Sequence, residues 1–269
     1  YPLEITDYTD TKIVLTEEPK RVVTLVPSET EIVFAVGGGD KVVGINAFSD
    51  YPPEAQSIQS IGDATINVEA VVATEPDLVL ASYSMNGHYI DAIRSLGITV
   101  YVSEPKTYDE TANHIEMIGL LLNKQAEAAQ VANDMRQVRA TIEETVVAAE
   151  KPKVYLEFSP GWTVGGEEYL DELIQIAGGQ NINQATPGWF EVNGEAVIDA
   201  NPDVIIYPNF GEAESSILKA IEERPGWDVI DAVKNDRIIE VSNEPLVRIG
   251  PRLAIGLKEI AEALHPELF

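Results

Sequence analysis

The stretch NVEAVVATEPDLVLA (Asn67–Ala81) returns, with substitutions, as NGEAVIDANPDVIIY (Asn193–Tyr207). Both copies place Asn first, Glu-Ala-Val two positions on, then Pro-Asp and an aliphatic run. Each reads as a helix followed by a buried strand. Asn67 and Asn193 are good N-caps because an Asn side chain can accept a first-turn N–H. Glu69 and Glu195 fall in that first turn, where negative charge suits the helix dipole. Pro76 and Pro202 stop the helix, and Leu78-Val79-Leu80 or Val204-Ile205-Ile206 follows as a strand.

The repetition extends outward. PKRVVTLVPS (Pro19–Ser28) is answered by PKVYLEFSP (Pro152–Pro160), and TEIVFAVGGGDKVVGI (Thr30–Ile45) by LDELIQIAGGQNI (Leu170–Ile182). TVYVSEP (Thr99–Pro105) is answered by IIEVSNEP (Ile238–Pro245). Four matched blocks in one order imply two related halves, since recurrent self-similarity belongs to a whole fold and not to one element. The expected fold class is α/β, with two Rossmann-like lobes built on central sheets. Between the halves, Leu121–Lys151 contains neither Gly nor Pro and is rich in helix formers. Ala128, Val131, Met135, Val138, Ile142 and Val146 follow helical spacing. A helix over 124–150 would span roughly 40 Å. The chain therefore divides into a lobe at 1–122, a linker helix within 123–151 and a lobe at 152–269.

Charge and composition exclude several functions. Asp plus Glu number 45 against 18 Lys plus Arg, a net charge of −27. Such a surface repels nucleic acid and anionic lipid, and suits a basic protein partner or a saline habitat. Cysteine is absent, which removes disulfides, thiolate metal sites and cysteine nucleophiles. No apolar run approaches the length of a membrane span. Tyr1 is not a natural start, so a removed leader is expected. His88, His114 and His265 lie far apart in sequence, without the clustering a metal carrier needs. His114 and His265 read as surface residues, and His88 as a polar residue of a loop. Gly37–Asp40 follows its helix and reads as a C-cap instead of a phosphate loop. Ser28 with Glu31 spells a capping box. No Gly-x-Ser-x-Gly elbow occurs, and neither enzyme chemistry nor a resident cofactor or metal is expected.

Ligand candidates come from segments leaving the strands, because open α/β sheets bind at strand carboxyl ends. The first half offers Tyr51, then Tyr83 and Tyr89. The second offers Trp162, Trp189, Phe190 and Arg248. Trp162 and Trp189 stand in Gly/Pro-rich stretches read as loops, where an indole serves better as a flat binding surface than as core. Trp227 reads as packing under the C-terminal region.

The ordered set from the N-terminal hairpin ITDYTDTKIVL and PKRVVTLVPSETEIVFAVGGGDKVVGI through FSDYPPEA, the NVEAVVATEPDLVLA block, the long helix and ERPGWDVIDAVKNDRIIEV to GPRLAIGLKEIAEAL resembles the class III substrate-binding proteins of ABC importers. In that group a single helix joins the lobes. The resemblance covers nearly the whole chain and is greatest to the cobalamin-binding members. It implies an extracytoplasmic monomer, periplasmic or a lipoprotein on the outer membrane face, that holds its ligand in an interlobe cleft. It also implies that Glu69 and Glu195 dock onto arginines of the two permease subunits. The tyrosine of S-D-Y-P-P maps to Tyr51, a cleft tryptophan six residues before the second docking glutamate to Trp189, and a further aromatic to Trp162. One feature departs: IGDATINVE carries Asp63-Ala64-Thr65 where cobalamin and haem binders carry an aromatic. The implied ligand is a corrinoid. A ferric siderophore is the alternative, with haem weaker for want of an axial phenolate, and a surface interaction module without a small ligand is the alternative of another class.

Overall fold

The computed structural model describes residues 1–269. The chain forms two compact units, one of residues 1–105 with 109–134, the other of residues 106–108 with 135–269. No helix is long and apolar enough to cross a membrane.

The first unit opens with an antiparallel hairpin, β1 (Leu3–Thr6) with β2 (Lys12–Leu15). It continues through β3 (Val22–Thr24), α1 (Pro27–Ala35), β4 (Val42–Ile45), α2 (Val68–Ala73), β5 (Leu78–Ser82), α3 (Tyr83–Ser95), β6 (Val100–Ser103) and α4 (Tyr108–Leu122). Strands β4, β3, β5 and β6 lie in that order in one parallel sheet. Its core includes Val23, Leu25, Ile61, Val79 and Val102. Apolar side chains on consecutive strand positions mark a sheet covered on both faces.

Helix α5 (Gln125–Val146) runs unbroken for 22 residues and buries Ala128, Ala132, Met135, Ile142 and Val146. It stops short of the predicted position 150. Ala149 N–H turns back to Val146 O, three residues away, and Pro152 disfavours helix at the residue before it.

The second unit contains β7 (Lys153–Ser159), β8 (Trp162–Val164), α6 (Tyr169–Ile176), β9 (Gln180–Asn181), β10 (Trp189–Glu191), α7 (Gly194–Ala200) and β11 (Val204–Asn209). It ends with α8 (Ser216–Glu222), α9 (Asp231–Lys234), β12 (Ile238–Ser242), α10 (Asn243–Val247) and α11 (Leu253–Leu264). Strands β9, β7, β11 and β12 pair in parallel, while β8 and β10 add an antiparallel ribbon to β7.

The duplicated block has a physical basis in both units. Asn67 Oδ1 accepts from Ala70 N–H, and Asn193 Oδ1 from Glu195 and Ala196 N–H. Each helix ends on a left-handed residue directly before the proline, Glu75 (φ 48°) and Asn201 (φ 47°). The Asp of each Pro-Asp pair then accepts backbone N–H groups at the entry to the neighbouring strand. Asp77 takes those of Lys20 and Arg21, and Asp203 takes that of Lys153. The basic side chains beside those amides complete the motif. Arg21 Nε donates to Thr74 O (3.0 Å) and Lys153 Nζ to Ala200 O (2.9 Å), placing positive charge at each helix C-terminus.

Three expectations need correction. Pro27 occupies the first turn of α1, so Ser28 lies inside the helix and the N-cap, Val26, makes no side-chain cap bond. Proline is pre-organised for that position, and it displaces the Ser28–Glu31 capping box. His114 is buried, with Nε2 2.8 Å from Glu29 Oε1, which also accepts from Ser103 Oγ (2.6 Å). His114 belongs to the helical stripe formed by Thr111, Ile115 and Ile118, all buried. His265 is buried as well, with Nε2 facing Gly178, where a Cβ would lie only 2.9 Å away.

Candidate functional site

In the second unit the aromatic candidates are carried by the antiparallel ribbon that follows the carboxyl end of β7. Strand β7 ends at Phe158-Ser159, turns at Gly161 (φ 81°) and returns as β8 from Trp162. Strand β10 pairs with β8, setting Trp189 opposite Val164, Phe190 opposite Thr163 and Glu191 opposite Trp162. Trp162 and Trp189 are thus strand residues, not loop residues. Directly opposed residues share a face and successive residues alternate, so Trp162 and Trp189 lie on one face of the ribbon and Phe190 on the other. Phe190 is half-buried beside Gly165, where a Cβ would stand 3.0 Å from its ring.

Trp189 meets Phe158 edge-on at a centroid separation of 5.0 Å, and Phe158 meets Phe210 in the same manner at 5.7 Å. Trp162, Trp189 and Phe210 are 48%, 39% and 49% exposed. Full burial of one large apolar side chain contributes about 1.5–3 kcal/mol, so this surface has much to gain from an apolar partner. Phe158 and Phe210 were not among the sequence candidates, although both lie at the carboxyl ends of adjacent parallel strands, β7 and β11.

A buried ion pair underlies this face. Both Glu157 oxygens accept from Arg224, Nη1 to Oε2 and Nη2 to Oε1, each at 2.7 Å. Oε1 also accepts Gly161 N–H (2.8 Å) and Oε2 the Tyr155 hydroxyl (3.1 Å). Arg224 lies 4.1 Å from the Trp227 ring, which packs edge-on against Tyr155. Trp227 is a core residue, as the sequence indicates. The hydrogen-bonded Glu157 raises the Arg224 pKa, and burial, reinforced by Glu157, raises that of the Tyr155 phenol. Arg248 is nearly buried, with Nε 2.5 Å from Glu244 Oε2. Its guanidinium, at the end of α10, is thus ion-paired to Glu244.

In the first unit Tyr51 and Tyr83 are both exposed. Tyr83 directly follows β5 and opens α3, so the segment carrying His88 and Tyr89 is a helix, not the loop its Ser, Asn and Gly suggest. A distant carboxylate stabilises its start. Glu104 Oε2 accepts Ser84 N–H (3.0 Å) and Ser82 Oγ (3.1 Å). Tyr89 is half-buried against the core.

Glu69 and Glu195 occupy the same place in the two repeats, second in α2 and second in α7, and both are exposed. No group of three His, Cys, Asp or Glu side chains is arranged to hold a metal ion.

Residues 22–245 match the model of the periplasmic binding protein family. The substrate-binding lipoprotein YvrC of Bacillus subtilis, named for an ABC transporter but uncharacterised, is 36% identical over 100% of this chain and 87% of its own. A Halobacterium salinarum protein named cobalamin-binding is 30% identical over 98% of this chain and 74% of its own. The structure of a Staphylococcus epidermidis protein, described as a possible iron-binding periplasmic solute-binding protein, superimposes with a TM-score of 0.82. It is 29% identical, covering 93% of this chain and 100% of that one. With two related α/β units, a continuous 22-residue helix between their sheets in sequence and a family match over most of its length, the chain belongs to the periplasmic binding protein family, as an extracytoplasmic substrate-binding protein of the ABC-transporter class with the class III fold.

Proposed function

We propose that the protein captures a corrinoid of the cobalamin type and delivers it to its permease. The aromatic surface of exposed Trp162, Trp189 and Phe210, with half-buried Phe158 between Trp189 and Phe210, carries this reading. A corrin is a broad, largely apolar ring with neutral amide arms, so flat side chains can bury its surface while polar groups take the amides. Tyr51 and Tyr83 are exposed aromatic candidates within the first unit. The name of the Halobacterium salinarum relative supports the same ligand class.

Anionic ferric siderophores call instead for several charge-assisted contacts from Arg or Lys. The one arginine among the sequence candidates is paired to Glu244. Absorbance titration with cyanocobalamin, haemin and a ferric siderophore tests the assignment, with Arg248→Ala as the discriminating variant. Cyanocobalamin should bind, and the variant should keep its affinity within about threefold, a change near 0.6 kcal/mol. Binding of the siderophore alone, lost in Arg248→Ala, would transfer the assignment to that ligand.

Delivery is assigned to Glu69 and Glu195, as carboxylates for permease arginines. In a reconstituted transporter, Glu69→Arg or Glu195→Arg should reduce transport while leaving ligand affinity nearly unchanged. The double reversal should be worse, since two ion pairs become like-charge contacts. Normal transport by the double variant would remove the docking role.

A further inference from the structure

The sequence candidates leave the N-terminal hairpin without a function, and it precedes the residues that match the family, which begin at Val22. Its turn is nonetheless held firmly. Asp7, only 6% exposed, accepts Thr9 N–H (2.9 Å) and Thr11 N–H (3.1 Å) through Oδ1. Its Oδ2 accepts Arg94 Nη2 (2.5 Å) and Val102 N–H (3.2 Å). The next residue, Tyr8, donates its own N–H to Val102 O (3.0 Å), so Asp7 and Tyr8 bracket one residue near the carboxyl end of β6. The Tyr8 ring then lies 5.3 Å from that of Tyr83, which follows the carboxyl end of the adjacent strand β5.

We propose that Tyr8 is a ligand-contacting residue, forming with Tyr83 a two-ring platform for a flat, conjugated ligand with amide edges. Three observations point this way. The pair stands at the carboxyl edge of a parallel sheet, where open α/β sheets bind. Tyr8 and Tyr83 are 47% and 50% exposed, so the rings are held against each other without forming core. The buried Asp7 fixes the turn that presents Tyr8, so little ordering cost is left for binding. This inference rests on the reading that Tyr83 contacts the ligand.

The test titrates wild type, Tyr8→Phe and Tyr8→Ala with cyanocobalamin, haemin and a ferric siderophore, and records thermal melts of each. An aromatic contact contributes about 0.5–1.5 kcal/mol, so Tyr8→Ala should bind roughly 2–13-fold more weakly with a nearly unchanged melt, and Tyr8→Phe close to wild type. Should Tyr8→Ala misfold, carbon-13 tyrosine NMR on the wild type decides, with the Tyr8 ring signal identified by its loss in Tyr8→Phe. A ligand-induced shift of that signal supports the assignment. An unmoved signal, or wild-type affinity in Tyr8→Ala, overturns it. If the wild type binds haemin or the siderophore but no corrinoid, the corrinoid reading fails while Tyr8 is judged on the ligand that binds. If it binds none of the three, both fall.

Discussion

Glu157→Leu should destabilise the protein by about 3–5 kcal/mol, because removing one partner of a buried ion pair leaves the other charge without compensation. The Glu157 side chain is fully buried, and Arg224 is largely so. The loss would reach beyond the pair. Gly161 N–H and the Tyr155 hydroxyl would both lose their acceptor, and Gly161 closes the turn that carries Trp162. Weaker ligand binding is therefore expected even where the variant remains folded. Adding Arg224→Leu should recover part of the stability, since replacing a whole buried pair by apolar groups is often close to neutral. Urea unfolding of both variants checks this. A loss below about 1 kcal/mol for the single variant would mean that solvent already screens the pair.

Trp189→Ala should weaken ligand binding by on the order of 2 kcal/mol, roughly thirtyfold, if the indole acts as a central anchor. The truncation removes its own half-exposed surface and the edge contact that orients Phe158, which in turn supports Phe210. Trp189→Phe should be intermediate. Phe190→Ala should cost less, because that ring lies on the other face of the ribbon, beside Gly165. Isothermal calorimetry with cyanocobalamin would rank the three. A Trp189→Ala variant binding within threefold of wild type would remove this face from the ligand site.

The exposed aromatics are partly legible in the chain, and the residues missed share one cause. Trp162, Trp189, Tyr51 and Tyr83 stand out in the sequence as aromatics beside strand ends, and all four are exposed. Phe158 stands two residues before the Pro160-Gly161 turn signal, but its edge contacts with Trp189 and Phe210 come only with the pairing of β7, β8, β10 and β11. Tyr8 escaped notice because its proximity to Tyr83 depends on contacts from Asp7 to Arg94 and Val102, more than eighty positions away. The Glu244 partner of Arg248 becomes apparent only with the helical turn of α10.

Two α/β halves, the long helix between them and the paired glutamates can all be read from the chain. These follow from N-caps, prolines and hydrophobic periods, whose effects act within a few residues of chain. Which aromatics share a face, where α3 begins and why His114 is buried depend on long-range packing. The first needed the β8–β10 register, the second Glu104 from beyond β6, and the third the packing of His114 against Glu29 from a different helix. Each depends on hydrogen bonds between segments distant in sequence, whose geometry exists only after the sheets have formed.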